Sequence, residues 1–291
     1  MHILITGAAG MLGAKLAQSL ATDPPASLTR MTLVDVVAPR PPSGSPVATV
    51  AATLDITDPK AVAARLAKRP EVIFHLAAVV SGEAETDFDK GYAVNFDGTR
   101  SLFEAIRALP DYHPRVIFAS SIAVFGAPFP ETIPDEFAAA PLTSYGAQKA
   151  MGELMLADYT RKGMLEGISI RLPTICVRPG KPNKAASGFF SNIIREPLAG
   201  HEAVLPVSED VRHWHATPKS AVGFLLHAGT MDLGTVGARR NLSMPGLSVT
   251  VGEQIAALER VAGKNVVARI KRVPDQSIIG IVNGWPRNFT A

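Results

Sequence analysis

Thr6-Gly7-Ala8-Ala9-Gly10-Met11-Leu12-Gly13 decides how the rest of the chain is read. It follows the short apolar run His2-Ile3-Leu4-Ile5 and opens an amphipathic segment near Leu12, the pattern of strand, turn and helix. Gly7 permits a tight turn, Gly10 lets backbone approach a pyrophosphate with no Cβ in the way, and Gly13 lets the helix lie close on the strand. The helix N-terminus then presents free N–H groups to the anion. Gly7, Gly10, Met11, Leu12 and Gly13 are therefore the candidate pyrophosphate contacts.

Glycines also mark ordinary turns, so the next strand matters. Met31-Thr32-Leu33-Val34-Asp35 is apolar and ends in a carboxylate, about 20 residues beyond the last glycine, where a dinucleotide fold places the acid that accepts from ribose hydroxyls. Asp35 repels a 2′-phosphate. Val36 and Val37 offer no cation to hold one, so the expected cofactor is NAD rather than NADP.

These signals predict an α/β fold, a Rossmann-type doubly wound parallel sheet with a smaller C-terminal substrate-binding region. The expected division is residues 1–175 for the NAD-binding domain and 176–291 mainly for substrate, with about 215–245 returning to the first domain. The chain has 291 residues, enough for a large core. It is 47% hydrophobic and only 19% charged, which points to much buried surface and an oligomer interface. A net charge of +3 with no polybasic run argues against nucleic acid and leaves room for a small anionic substrate. The single cysteine, Cys176, supplies neither a disulfide nor a metal cluster, so no metal is expected. No apolar run reaches membrane-spanning length, and the first strand starting at residue 2 leaves no room for a secretory leader. The expected location is cytoplasmic. Pro39 to Pro46 reads as an exposed loop.

Val47 to Val50 reads as a third strand. Asp55 and Ile56 then either cradle adenine, with Asp55 accepting from its amine, or belong with Thr57 and Asp58 to the cap of a helix over 59–67. Val72 to Ala78 is a continuous apolar run, suited to a buried parallel strand. Its small end, Leu76-Ala77-Ala78, lets a cofactor lie close, while His75 within it reads as a hydrogen-bonded core residue. Asn95, in the long helical segment that follows, holds a water for proton relay or braces the helix. Arg115 to Ser121 is another buried strand, ending in Ser120 and Ser121. Ligands collect beyond the carboxyl ends of such strands, so both hydroxyls are substrate candidates, with Ser121 preferred. Tyr145 and Lys149 are spaced i, i+4 and share a helix face. An ammonium beside a phenol stabilises phenolate and lowers a pKa ordinarily about 10.

With these residues the chain resembles the extended branch of the short-chain dehydrogenase/reductase superfamily. The resemblance rests on Thr6 to Gly13, His75-Leu-Ala-Ala78, Asn95, Ser120-Ser-Ile-Ala-Val-Phe-Gly126, Tyr145-Gly-Ala-Gln-Lys149 and Arg171-Leu-Pro-Thr, and covers nearly the whole length. It implies a triad of Ser121, Tyr145 and Lys149 with Asn95 as a fourth member. In that scheme Tyr145 is the general base, Lys149 binds the nicotinamide-ribose hydroxyls, and Ser121 hydrogen-bonds the reacting oxygen. Pro173 and Ile175 would line the nicotinamide end.

Leu172 to Phe190 and Arg212 to Pro218 are similar to the D-erythronate dehydrogenase subgroup of that branch. This implies oxidation of a short 2-hydroxy sugar acid. Uronate and L-threonine dehydrogenases and sugar-nucleotide epimerases are the alternatives within the branch. A non-catalytic NAD-binding protein has no need of Ser121, Tyr145 and Lys149 together.

A carboxylate substrate calls for a cation. Arg178, Lys181, Lys184, Arg195 and Arg212 fall in segments expected near the pocket, and Arg212 is the first choice because a guanidinium grips a carboxylate with two parallel bonds. Ser187 adds a hydroxyl. Cys176 reads as a small wall residue, and His213 and His215 alternate about Trp214 on one strand face without a third metal ligand. Lys219 to His227 reads as a helix, Arg240 to Met244 as a late strand, Val249 to Ala262 as a helix, and Val266 to Val273 as an edge strand. The resemblance implies a homodimer through the helices bearing Tyr145 and Asn95, and Met151, Leu154 and Met155 suit either that interface or the core. Relatives of this branch usually continue past a point such as Gly284-Trp285-Pro286 into a further helix, so either a tail follows Ala291 or the end is short.

Overall fold

The computed structural model describes residues 1–180 and 186–290. Its strands, in chain order, are β1 (His2–Thr6), β2 (Arg30–Asp35), β3 (Ala48–Thr53), β4 (Val72–His75), β5 (Arg115–Ser121), β6 (Glu166–Leu172), β7 (Thr174–Ile175), β8 (Ala203–Leu205), β9 (Arg212–Ala216), β10 (Asn241–Ser243), β11 (Leu247–Thr250) and β12 (Ile270–Arg272). Seven form one parallel sheet in the order β10-β6-β5-β4-β1-β2-β3. The chain runs outward from β1 through β2 and β3, then returns to place β4 on the other flank of β1. That reversal opens a crevice beyond the carboxyl ends of β1 and β4. The glycine turn after Thr6 sits there.

Successive strand residues face opposite sides of the sheet, and both sides are covered. On one, Ile3, Ile5, Leu33, Ile117 and Ile168 pack under Leu16 and Leu20 of the helix Met11–Thr22 and under Ala221, Val222 and Leu225 of the helix Pro218–Thr230. On the other, Leu4, Ile73, Val116 and Phe118 meet Leu66 of Pro59–Leu66, Leu102 and Phe103 of Gly98–Arg107, and Leu156 of Ser144–Arg161. Residues 218–244 thus pack into the core built by the first strands.

The remaining strands are short. Two small sheets, β11-β9-β7 and β12-β8, enclose a second core of Phe189, Phe190, Ile193, Leu205, Val251 and Ile255. The helix Val251–Ala262 starts at Thr250, whose hydroxyl accepts from the Glu253 N–H while the Glu253 carboxylate accepts from the Thr250 N–H, a reciprocal cap.

Three expectations shift. The helix expected from Val249 starts at Val251, because Val249 and Thr250 pair with β9. The third strand runs Ala48–Thr53 rather than 47–50. The edge strand expected over 266–273 is a helical turn, Lys264–Val267, followed by β12. Val266, Val267 and Ile270 are spaced i, i+1 and i+4, which serves one helix face as well as it serves an alternating strand. Among the described residues no helix is long and apolar enough to cross a membrane.

Candidate active site

The turn after β1 is built around two close approaches. Gly7 has φ +71°, and a Cβ there would lie 2.6 Å from both the Ala77 nitrogen and the Leu76 carbonyl carbon. A Cβ on Gly13 would lie 2.3 Å from the Gly7 oxygen. Side chains at either position would push the turn, the helix and the Leu76–Ala78 segment apart. No side chain caps the helix at Gly10, so the N–H groups of its first turn are left to an anion such as a diphosphate. Asp35 adjoins it: Oδ2 accepts from the Ala9 N–H at 3.0 Å and Oδ1 from the Val37 N–H at 3.4 Å. Val36 and Val37 beside it are well exposed. This acid and cradle fit NAD.

The Asp55-Ile56 pair divides. Asp55 is exposed and accepts from both the N–H and the hydroxyl of Thr57, which hold its carboxyl below its ordinary range. The Ile56 side chain is buried under Gly98, so only its backbone is left to meet a ligand. The helix is capped by Asp58, which accepts from the Lys60 and Ala61 N–H groups.

His75 is fully buried between the hydroxyls of Thr6 and Thr99, at 2.8 and 2.9 Å. Burial, with a smaller contribution from the Lys149 charge, takes its pKa down to about 3. Burial takes His215 down to about 4 and His213 well below its ordinary value. An unfolded imidazole binds its proton near pH 6.5, so the stability these neutral rings contribute is complete above that pH and is lost as pH falls toward 4 and 3. Each differing proton costs about 1.4 kcal/mol per pH unit. Thermal melts should therefore show Tm falling between pH 6.5 and 4, with a shallower fall in His75→Gln.

Asn95 lies in a π-helical turn, Tyr92–Asp97. Its Oδ1 accepts from the Val79 N–H at 2.9 Å, and Nδ2 donates to the Val79 carbonyl and, at 2.7 Å, to Gln148 Oε1. Both amide protons are thus engaged by protein, and Asn95 braces the segment after β4 against the helix Ser144–Arg161.

That helix starts at Thr143, whose hydroxyl accepts from the Gly146 N–H, and it aims Tyr145 and Lys149 at the end of β5. Lys149 Nζ donates to the Ala119 carbonyl at 2.9 Å and lies 5.7 Å from the centre of the Tyr145 ring. Burial pushes Lys149 down to about 8, against the pull of the Glu153 carboxylate. Ser121 accepts from the Ala123 N–H, leaving its own proton to donate. The expected lowering of Tyr145 by Lys149 is not what this arrangement gives. Burial pushes the phenol up to about 12, and the groups that draw it back are the Arg178 guanidinium first and then the Ser121 hydroxyl.

Three substrate candidates are held by protein groups. Ser120 is 2% exposed and donates to Glu153, so it faces the protein rather than the crevice. Arg212 donates to the Ser248 carbonyl and pairs with Glu253, lining a cavity of about 760 Å³ with Pro128, Phe129, Arg287 and Asn288. Ser121, Tyr145, Lys149 and Arg178 do not line that cavity. The alternation of β9 accounts for this: Arg212 and Trp214 share one face, His213 and His215 the other, and the Arg178 charge is felt by both histidines. Arg195 is held by Glu196, Asn192 and the Arg178 carbonyl. The cation whose charge acts on the phenol is Arg178, whose guanidinium donates to the Ile175 carbonyl at 3.1 Å and to Ser187 at 2.8 Å. Lys181 and Lys184 lie outside the described residues.

Pro173 and Ile175 are buried at the start of the same segment. Cys176 donates to the Phe190 carbonyl, and burial raises its thiol pKa, as suits a wall residue rather than a nucleophile. Sequence reasoning missed Glu153 and Gln148, which tie the helix of Tyr145 to the sheet and to Asn95. Glu153 could have been found, since it continues the Tyr145, Lys149 spacing by another four residues.

A glycine cradle, a neighbouring acid, and a phenol and ammonium at the carboxyl edge of a doubly wound sheet define an α/β protein that works with a bound dinucleotide. The chain belongs to the NAD dependent epimerase/dehydratase family, whose model matches residues 3–217. It is 45% identical to a D-erythronate dehydrogenase of Cupriavidus necator, over all of this chain and 91% of that one. It is 43% identical to a D-erythronate dehydrogenase of Haemophilus influenzae, over 98% of this chain and 90% of that one. Among solved structures it is similar to one described as the nucleoside-diphosphate-sugar epimerase from Agrobacterium tumefaciens, with 59% identity, a TM-score of 0.96, and coverage of 100% of this chain and 87% of that one.

Proposed function

We propose that this protein oxidises a short 2-hydroxy sugar acid, D-erythronate, at C2 to the 2-oxo acid, with reduction of NAD. The observation that carries the reading is the 43–45% identity to two D-erythronate dehydrogenases over nine-tenths of their length, and the Arg178 charge that acts on the Tyr145 phenol agrees with it. In a 2-hydroxy acid the carboxylate and the carbinol are on adjacent carbons, so the cation that grips one must neighbour the base that serves the other.

In this reading residues 1–175, with the strands and helices that rejoin them, hold NAD, and 176–291 mainly close on the substrate. Gly7, Gly10, Gly13 and the backbone of Met11 and Leu12 hold the pyrophosphate, Asp35 the adenosine ribose, and Lys149 the nicotinamide ribose. Asp55, the Ile56 backbone and the Leu76–Ala78 segment meet the adenosine half, and Pro173 and Ile175 the nicotinamide end. When bound, NAD supplies the hydride acceptor. Tyr145, in its phenolate form, takes the C2 hydroxyl proton as the C2 hydride departs. Ser121 donates to the same substrate oxygen. Arg178 and Ser187 fix the carboxylate.

The test is NADH absorbance with D-erythronate, L-threonate, D-glucuronate, L-threonine and UDP-galactose. Rapid NADH formation with D-erythronate alone supports the reading, and a response to another acid replaces the substrate. Silence on all acids, with UDP-galactose epimerised, favours the second reading, a sugar-nucleotide epimerase, which the name of the Agrobacterium structure supports.

The same helix supports a homodimer. Leu154 is 70% exposed, with Met151 and Met155 half-buried beside it. Sedimentation of the 30.7 kDa chain should give twice the chain mass, and Leu154→Glu should return it to one.

A further inference from the structure

Behind the reactive face lies a buried ion pair, Glu153 with Arg171, whose side chains are 2% and 8% exposed. Arg171 Nε donates to both carboxylate oxygens, at 2.9 and 3.2 Å, and Nη2 donates to Oε2 at 2.7 Å. Ser120 adds a fourth hydrogen bond to Oε1. Such pairs are poor sources of stability, because desolvation offsets the attraction and apolar residues could fill the same space. Its position suggests another use. Ser120 and Arg171 are register partners on β5 and β6, so Glu153 ties the ends of both strands to the helix of Tyr145 and Lys149. Ser120 immediately precedes Ser121, and Ala119, the carbonyl that holds Lys149, immediately precedes Ser120. The Arg171 guanidinium also covers the Phe125 ring at 4.7 Å, in the segment just after Ser121.

We propose that Glu153, held by Arg171, is a positioning residue that aligns Ser121 through Ser120 and keeps Lys149 charged through its own negative charge. This rests on the role of Lys149 and Ser121 given above. The charged and titratable groups around Lys149 are Glu153 and Tyr145 on its own helix, His75 from β4, and Arg171 from β6 through its pairing with Glu153. His75 is neutral and Tyr145 protonated near pH 7. Glu153 is therefore the group that works against burial to keep the ammonium charged.

The experiment reads Lys149 directly, from its ¹³Cε shift in lysine-labelled protein without ligands, assigned by its loss in Lys149→Arg. In the wild type it should titrate near 8. In Glu153→Gln the midpoint should fall by about one unit or more. If that variant fails to fold because Arg171 is left unpaired, Glu153→Gln with Arg171→Met leaves no orphan charge and should show the same direction. Ser120→Ala should leave the midpoint in place and lower kcat about tenfold on whichever acid the wild type oxidises, with KM for NAD unchanged. A Lys149 midpoint indifferent to Glu153→Gln, or full kcat in Ser120→Ala, overturns the proposal. The titration needs no substrate, so a wrong substrate assignment leaves it standing, and normal turnover with an unmoved midpoint sinks the positioning role alone.

Discussion

Tyr145→Phe should lower kcat with D-erythronate by about 10³-fold or more, with NAD affinity changed by no more than about twofold. Positioned general bases contribute on the order of 10² to 10⁴, and the proposed mechanism makes the phenol oxygen the proton acceptor. The ring itself stays, so the packing beside Lys149, 5.7 Å from the ring centre, is kept. NAD affinity by calorimetry and kcat by NADH absorbance separate the two effects. A robustly active Tyr145→Phe enzyme would falsify the role assigned to the phenol. Burial raises that phenol to about 12, so its basic form grows with pH, and activity should climb on the alkaline side of neutrality before Lys149 loses its charge.

Arg178→Met should act in two ways at once. Loss of a guanidinium that grips a carboxylate in a half-buried site costs about 2–4 kcal/mol, or roughly 30- to 1000-fold in kcat/KM, chiefly as a higher KM. The same change removes the stronger of the two groups that draw the Tyr145 pKa down against burial, so the phenol moves further up and the alkaline rise in rate shifts to higher pH. Arg212→Met should change kcat/KM by no more than about twofold, because Arg212 is spent on Ser248 and Glu253. Steady-state kinetics of both variants across pH decide between the two arginines. Equal losses in both, or a loss only in Arg212→Met, would return the carboxylate to the cavity beside Pro128.

Local patterns carried much of this in the sequence. Turn and helix geometry dictate where glycine must stand, so Gly7 and Gly13 could be read as close approaches before any contact was known, and the contacts are with Ala77, Leu76 and the turn itself. The i, i+4 spacing put Tyr145 and Lys149 on one helix face because a helix has one period. Long apolar runs could be read as buried strands, and Asp35 as the acid after the second of them. The limits were equally local: Val266 to Ile270 satisfied two periods, and packing chose the helical turn.

By itself the sequence determined the doubly wound sheet, the glycine turn with its acid, and the reactive pair, because each depends on backbone geometry and spacing within a few residues. The tertiary structure alone decided which cation neighbours the phenol, since Arg178 and Arg212 are equal as residue types and only the two faces of β9 separate them. It also turned Ser120 inward to Glu153 while leaving the adjacent Ser121 proton free, because successive strand residues face opposite ways. And it set the phenol's pKa by burial rather than by its helical neighbour, since desolvation depends on everything packed around a group and not on the residue four positions along.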